Sequence, residues 1–325
     1  MNLFGTVLTY PAPSANYRGE SELNRSTMQK LTDGRNEYPI VSPEAMRNAM
    51  RETLSSYGLP MNRKRLHDEE QLAVCFESYP HPEKYADDFL FGYLVAASKA
   101  ERKKILKAIK DDGRDEAVFT FKRDSILRMN LAKGIEPYRY STVFTQSPMS
   151  ADDGKNKTAY KNDSGSSLLH RETAETPFQY PFALNLNDCA KGPSEWTEKL
   201  LQAIGELNGV AGNHARSYFE MAPASIVVRL TEALVAGYQT YGFRKIDGGA
   251  DQPATYSFPE LIEGFLQPEP DYPADEFYIG GTIVKQMDEA TREALTKAGV
   301  TLDRNPQRLL KTVTEKVSKA IGAAK

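Results

Sequence analysis

Four cations, Arg18, Arg25, Lys30 and Arg35, stand among Asn, Ser, Thr and Gln in NYRGESELNRSTMQKLTDGR, the stretch from Asn16 to Arg35. Guanidinium forks and amides of this kind suit phosphates, riboses and base edges, and Tyr17 offers a stacking face beside Arg18. Each residue taken singly is also an ordinary surface side chain. Asp33, a carboxylate among these cations, could position a ribose hydroxyl or act as a base. A second grouping is NGVAGNHARS, Asn208 to Ser217. There Gly209 and Gly212 let the backbone approach a ligand closely, while Asn213, His214, Arg216 and Ser217 supply donors. On the glycines alone, a helix cap and linker is the preferred reading of it. A third, FKRDSILRMNLAKG, Phe121 to Gly134, sets Lys122, Arg123 and Arg128 among apolar residues, and packing with snorkelling cations explains it equally well.

The residue patterns of familiar enzymes do not occur. His67, His81, His170 and His214 lack the HExxH or paired Cys/His spacing of a zinc site. DGKNKT has neither the upstream glycine nor the following Ser/Thr of a phosphate-binding loop. SGSS does not sit on a strand-to-helix turn as a nucleophile would require. Asp152 and Asp153 fall in a polar span and read as a solvated pair. The two cysteines, Cys75 and Cys189, are far apart and imply buried free thiols. No catalytic residue, metal or cofactor is expected.

These side chains need elements to hold them. Leu3 to Tyr10 reads as a buried strand stopped by Pro11. Ser42, Pro43 and Glu44 open a helix, with Met46, Ala49, Met50, Leu54 and Tyr57 on its apolar side, Gly58 closing it, and Arg47 and Arg51 one turn apart on another face. Asn16 to Arg35 is then a long connection between them. From Leu59 to Gly134 the chain reads as an insertion, with helical pieces in DDFLFGYLVAASKAERKKILKAIKDD and shorter strand-like runs AVFTF and QLAVCF. Tyr138 to Pro148 resembles a strand. In FQYPFALNLN the residues Phe178, Tyr180, Phe182, Leu184 and Leu186 alternate as in a half-buried strand. Between these two, the polar, Gly/Ser-rich span from Met149 suits a projecting hairpin or arm. Pro193 to Leu207 follows as a helix with Ser194 as its cap, then a strand at Ala224 to Glu232. Two further helices come last, one from Asp288 to Gly299 and one from Asn305-Pro306. Without the insertions the order is strand, helix, strand, strand, helix, strand, that of the ferredoxin-like unit which RNA-recognition motifs share.

The net charge of -3 conceals a polarity along the chain. Nine cations against six acids lie between Ser14 and Arg65, whereas Ile246 to Val284 contains no Lys or Arg. One region could face a polyanion, and the other could complement a basic surface of a neighbouring copy. Two solvated faces would look the same in charge pattern. There is no apolar run long enough to span a bilayer, and the N-terminus lacks the layout of a secretion signal, so a cytoplasmic protein is expected.

The block LFGTVLTYPAPSANYRGESELNRSTMQKLTDGRNEYPIVSPEAMRNAMRETL resembles the N-terminus of the DevR-type backbone subunits of the CRISPR Cascade complex, the type I-B branch of the "Cas seven" superfamily. DDFLFGYL, FKRDSILRMN and GNHARS are similar to later blocks of that family, so the likeness extends to about Leu230. It implies an α+β subunit shaped like a hand. The palm, ferredoxin-like or RNA-recognition-motif-like, would comprise about 1–58, 135–148 and 177–240, with helical fingers inserted at 59–134. A thumb-like arm would lie at 149–176, and an acidic C-terminal region with packing helices at 241–325. It further implies a non-catalytic protein whose partners are CRISPR RNA, target DNA through the guide, further copies of itself and other Cascade subunits, with no membrane. RNA contact would fall on Asn16, Arg18, Asn24, Arg25, Lys30, Arg47, Arg51, Arg123, Asn213 and Arg216. Relatives in other CRISPR types cleave target RNA with a loop aspartate, which makes Asp33 the position to watch. Two other classes stay open: a metal-dependent ribonuclease, and a self-assembling regulatory protein without nucleic acid.

Overall fold

A computed structural model describes residues 1–22, 25–65, 74–146, 168–210, 219–246 and 254–323. Residues 149–167 of the expected arm (149–176) and 211–217 of the second candidate loop (208–217) lie outside the described residues. The organising element is β1 (Asn2–Thr9), which occupies the middle of a nine-stranded sheet. Phe178–Asn185 pairs with it antiparallel on one side and Pro223–Thr231 antiparallel on the other, so that Leu3 lies opposite both Leu184 and Leu230. Beyond Phe178–Asn185 the sheet continues through Ala132–Gly134, Asn36–Val41 and Lys30–Asp33; beyond Pro223–Thr231 it continues through Phe277–Gly281 and Thr301–Asp303.

β1 is buried along nearly its whole length because the sheet is covered on both faces. Leu3 and Val7 belong to a core that includes the stripes of three helices: α1 (Pro43–Ser56), Ser194–Gly205 and Pro306–Ala323. Leu8, Val227 and Ile279 belong to a second core, lined by Phe243, Phe258 and Phe277 from the acidic C-terminal portion. Gly5 sits under the ring of its cross-strand partner Phe182, where an added Cβ would come within 2.3 Å of that ring, so the largest side chain of the layer packs flat on bare backbone.

Several sequence expectations need correction. The stretch from Asn16 to Arg35 is not a long loop. It carries the strands Tyr17–Glu22, Arg25–Met28 and Lys30–Asp33. The first two join Leu168–Glu172 and Thr142–Gln146 in a separate four-stranded sheet, while the third pairs with Asn36–Val41. The strand expected near Tyr138 to Pro148 is thus Thr142–Gln146, and it lies in this second sheet; Ala132–Gly134 is the strand beside Phe178–Asn185. The helical pieces expected within 87–112 are present as two helices, α2 (Ala86–Phe91) and α3 (Lys99–Asp111), with Gly92 at φ 63° ending the first. AVFTF forms no strand: Phe119 and Phe121 meet edge to face under the guanidiniums of Arg114 and Arg102. Ser194 begins its helix rather than capping it, since Pro193 holds the cap position without a side-chain bond. Among the described residues no helix is long and apolar enough to cross a membrane.

Candidate nucleic-acid interface

Four arginines, Arg47, Arg51, Arg63 and Arg123, line one cleft of about 500 Å3, with Glu44 at its edge 3.6 Å from Arg47. Each arrives from its own piece of local structure. Ser42 caps α1 through its hydroxyl, which accepts from the Ala45 N–H at 3.2 Å, and Met46, Met50 and Leu54 anchor the helix in the core. That fixes the rotation of α1, and Arg47 and Arg51, four residues apart, then lie one above the other on the side facing the cleft. The first turn of α2 supplies Asp87, which is fully buried. Its two carboxylate oxygens accept the backbone N–H groups of Asn62 at 2.8 Å and Arg63 at 3.0 Å, which sets where the strand Arg63–Arg65 enters. Arg63 in turn donates to the Gly92 carbonyl at 2.5 Å and lies over Phe76. Arg123 is placed by pairing of Lys122–Arg123 with Tyr93–Leu94 and lies over Phe89 at 5.3 Å.

The cations crowd one another with too few anions. Arg51 donates to Asn48 at 2.6 Å and lies 4.9 Å over Phe91, yet its Nε is 3.7 Å from Asp87, beyond hydrogen-bond length. Burial, followed by the neighbouring Arg63 charge, pushes the Arg51 guanidinium down to about 9. Burial also lowers Arg47 and Arg63. The Nε atoms of all four arginines are buried without a hydrogen-bond partner among the described residues. Crowded cations only partly matched by Glu44 and Asp87 cost free energy, and an anion entering the cleft relieves that repulsion. A phosphate, with several acceptor oxygens and a negative charge, matches this set.

Gly92 holds the cleft together. Its carbonyl orients Arg63, its φ lies in the left-handed region, and a Cβ there would come within 2.3 Å of the Arg123 carbonyl and 2.7 Å of Asp124. Gly92→Ala is expected to lower stability by about 2–5 kcal/mol, combining left-handed strain with a backbone clash. A urea melt followed by far-ultraviolet circular dichroism measures it.

The positions expected from sequence divide. Arg47, Arg51 and Arg123 come together in the cleft. Asn16 does not join them: it is buried, and its amide donates to the Ile40 carbonyl at 2.8 Å, tying the chain across a turn. Lys30 lies 3.3 Å from Glu172 and 3.6 Å from Glu37, above the Tyr138 ring, so its charge is already matched. Arg25 is exposed on its strand, 5.8 Å over Tyr140. Arg18 is on the strand Tyr17–Glu22 with its side chain outside what is described, and Asn24, Asn213 and Arg216 lie outside the described residues. Asp33 occupies the tip of the hairpin closed by Gly34, 3.5 Å from Lys133. Among the described residues no three His, Cys, Asp or Glu side chains gather as a metal site would need. Arg63 escapes a reading of the sequence. Its one signal is the NRKR run, and it is turned inward by the buried Asp87, which holds its backbone N–H, and by the Gly92 carbonyl, which holds its guanidinium.

A curated relative, the CRISPR-associated protein Cas7/Cst2/DevR of Myxococcus xanthus (strain DK1622), is 28% identical over 307 residues, 92% of each chain. The chain is similar to that protein over nearly the whole length of both. No protein-family model matches it. Among solved structures, the protein is similar to a chain of a CRISPR RNA-guided surveillance complex, with a TM-score of 0.54 at 12% identity over 97% of this chain and 99% of that one. A chain of such a complex in a pre-nicking state gives the same TM-score at 11% identity, over 98% and 100% of the two chains. At these identities the likeness is one of fold, and it extends over the whole mixed α/β architecture.

Proposed function

We propose that the protein is a non-catalytic backbone subunit of a type I-B Cascade effector, holding CRISPR RNA by its phosphates. The observation that carries this reading is the four-arginine cleft, whose buried guanidinium donors lack partners and whose charge calls for a polyanion. Backbone capture leaves the bases to pair with a target strand, the division of labour general to RNA-guided recognition. Further copies would extend along the same guide, beside other Cascade subunits, in the cytoplasm. The strand order Pro223–Thr231, β1, Phe178–Asn185, Ala132–Gly134 supports reading the central sheet as a ferredoxin-like palm. On this reading the fingers are the insertion at about 59–134 up to its last strand, Ala132–Gly134, which joins the palm sheet; 149–176 is the thumb-like arm and 241–325 an acidic packing region.

Arg47, Arg51, Arg63 and Arg123 are the backbone contacts in this account. Asn16 and Lys30 serve the fold that presents them. Asp33, held by Lys133 at a hairpin tip, has no catalytic task. Recombinant protein purified without nuclease treatment is expected to carry RNA, read as excess absorbance at 260 nm and as intact oligonucleotides after extraction. Protein free of nucleic acid, with no affinity for added RNA, would overturn the reading, as would RNA cleavage abolished by Asp33→Ala.

A further inference from the structure

The four-stranded sheet of Thr142–Gln146, Leu168–Glu172, Arg25–Met28 and Tyr17–Glu22 carries a second, differently built surface. Register places Phe144 opposite His170 across one strand pair, and His170 opposite Arg25 across the next. Directly paired residues share a face, so the three side chains form one row across three strands. The Phe144 and His170 rings are 4.1 Å apart between centroids, and Arg25 lies over Tyr140. Two of these rings face water: Phe144 is 65% exposed and Tyr140 61%. The row is anchored rather than loose, since the buried Glu172 carboxylate accepts from the Met28 N–H at 3.1 Å and from Lys30 at 3.3 Å, joining this sheet to the strand Lys30–Asp33.

An exposed phenyl ring, an imidazole and a guanidinium in one row make a poor seat for an apolar protein surface, which would have to strip water from Arg25. They make a good seat for flat aromatic rings followed by a phosphate. Bases in a duplex already stack on their neighbours, whereas unpaired bases present free faces. We propose that Phe144, His170 and Arg25, with Tyr140, form a stacking platform for unpaired bases of single-stranded RNA. The proposal rests on the backbone-binding reading above and adds to it a contact with bases at a site distinct from the arginine cleft.

The test uses the full chain and short single-stranded RNAs with 2-aminopurine at successive positions, followed by anisotropy for affinity and by quenching for stacking. Wild-type protein should quench some positions strongly. Phe144→Ala should remove that quenching and weaken binding roughly fivefold or more, the loss of one stacked base. Phe144→Trp should retain both. Phe144 is exposed, so the variants should unfold at the wild-type urea midpoint. Unchanged quenching and affinity in Phe144→Ala, while charge reversal in the arginine cleft still abolishes binding, would overturn the platform and leave the cleft reading standing. An equal loss of affinity for duplex RNA in Phe144→Ala would also overturn it. Absence of RNA binding by wild-type protein would overturn both.

Discussion

Arg47→Glu combined with Arg123→Glu is expected to lower affinity for single-stranded RNA by about a hundredfold or more, as two charge-assisted contacts of roughly 1.5–3 kcal/mol each are replaced by repulsion. The pair is chosen on physical grounds. Arg51 is the most buried of the four and is bound up with Asp87, so its removal would confound binding with folding. Arg47 is joined only to Glu44, one turn back on its own helix, and Arg123 lies over Phe89 without an ion pair among the described residues. Their loss leaves the framework in place. If the cleft holds phosphates rather than bases, as proposed, the loss should be the same for unrelated RNA sequences. Anisotropy on two sequences of equal length measures it.

Asp87→Ala is expected to have the largest effect on stability, about 3–5 kcal/mol, because it strands buried groups that only this carboxylate satisfies. The N–H groups of Asn62 and Arg63 lose their acceptor, and Arg51 is left with three cations and no close counter-charge. Asp88, its neighbour, should not be substituted in its place as a control. That residue binds the Asn62 amide at 2.7 Å and the His81 N–H at 2.9 Å, and burial raises its carboxyl above the usual range. The effect of Asp87→Ala would show as a lower urea midpoint. RNA binding should also weaken at urea concentrations where the chain is still folded, because Arg63 is no longer turned toward the cleft.

The regular elements were legible wherever local chemistry and tertiary packing agreed. The alternation from Phe178 to Leu186 forecast the burial of the strand Phe178–Asn185, and Ser42-Pro43 with Gly58 bounded α1. The helix beginning after Asp288 ends at Gly299 in the left-handed conformation its residue type suggests. Asn16 to Arg35 was misread because its strands are polar and do not alternate. Arg25–Met28 pairs with its neighbour Tyr17–Glu22 on one side and on the other with Leu168–Glu172, a distant partner that no local pattern encodes. The arginine cleft was half legible. Arg47 and Arg51 announce themselves by spacing on a capped helix, and Arg123 by its company. That they meet Arg63 depends on Asp87 and on the left-handed turn at Gly92, neither of which carries a periodic signal.

Two sites with different chemistry follow from this arrangement. Partly buried guanidiniums hold charge and position, and an exposed aromatic row offers faces to bases. The first would set affinity and its salt dependence; the second would set how the strand lies.

The salt dependence of RNA binding tests the central claim most directly. Plotted as log affinity against log salt concentration, wild-type protein should give a steep negative slope that is the same for two unrelated single-stranded sequences, and Arg47→Glu with Arg123→Glu should flatten it by about one to two units. A slope and an affinity untouched by the double substitution would contradict the account.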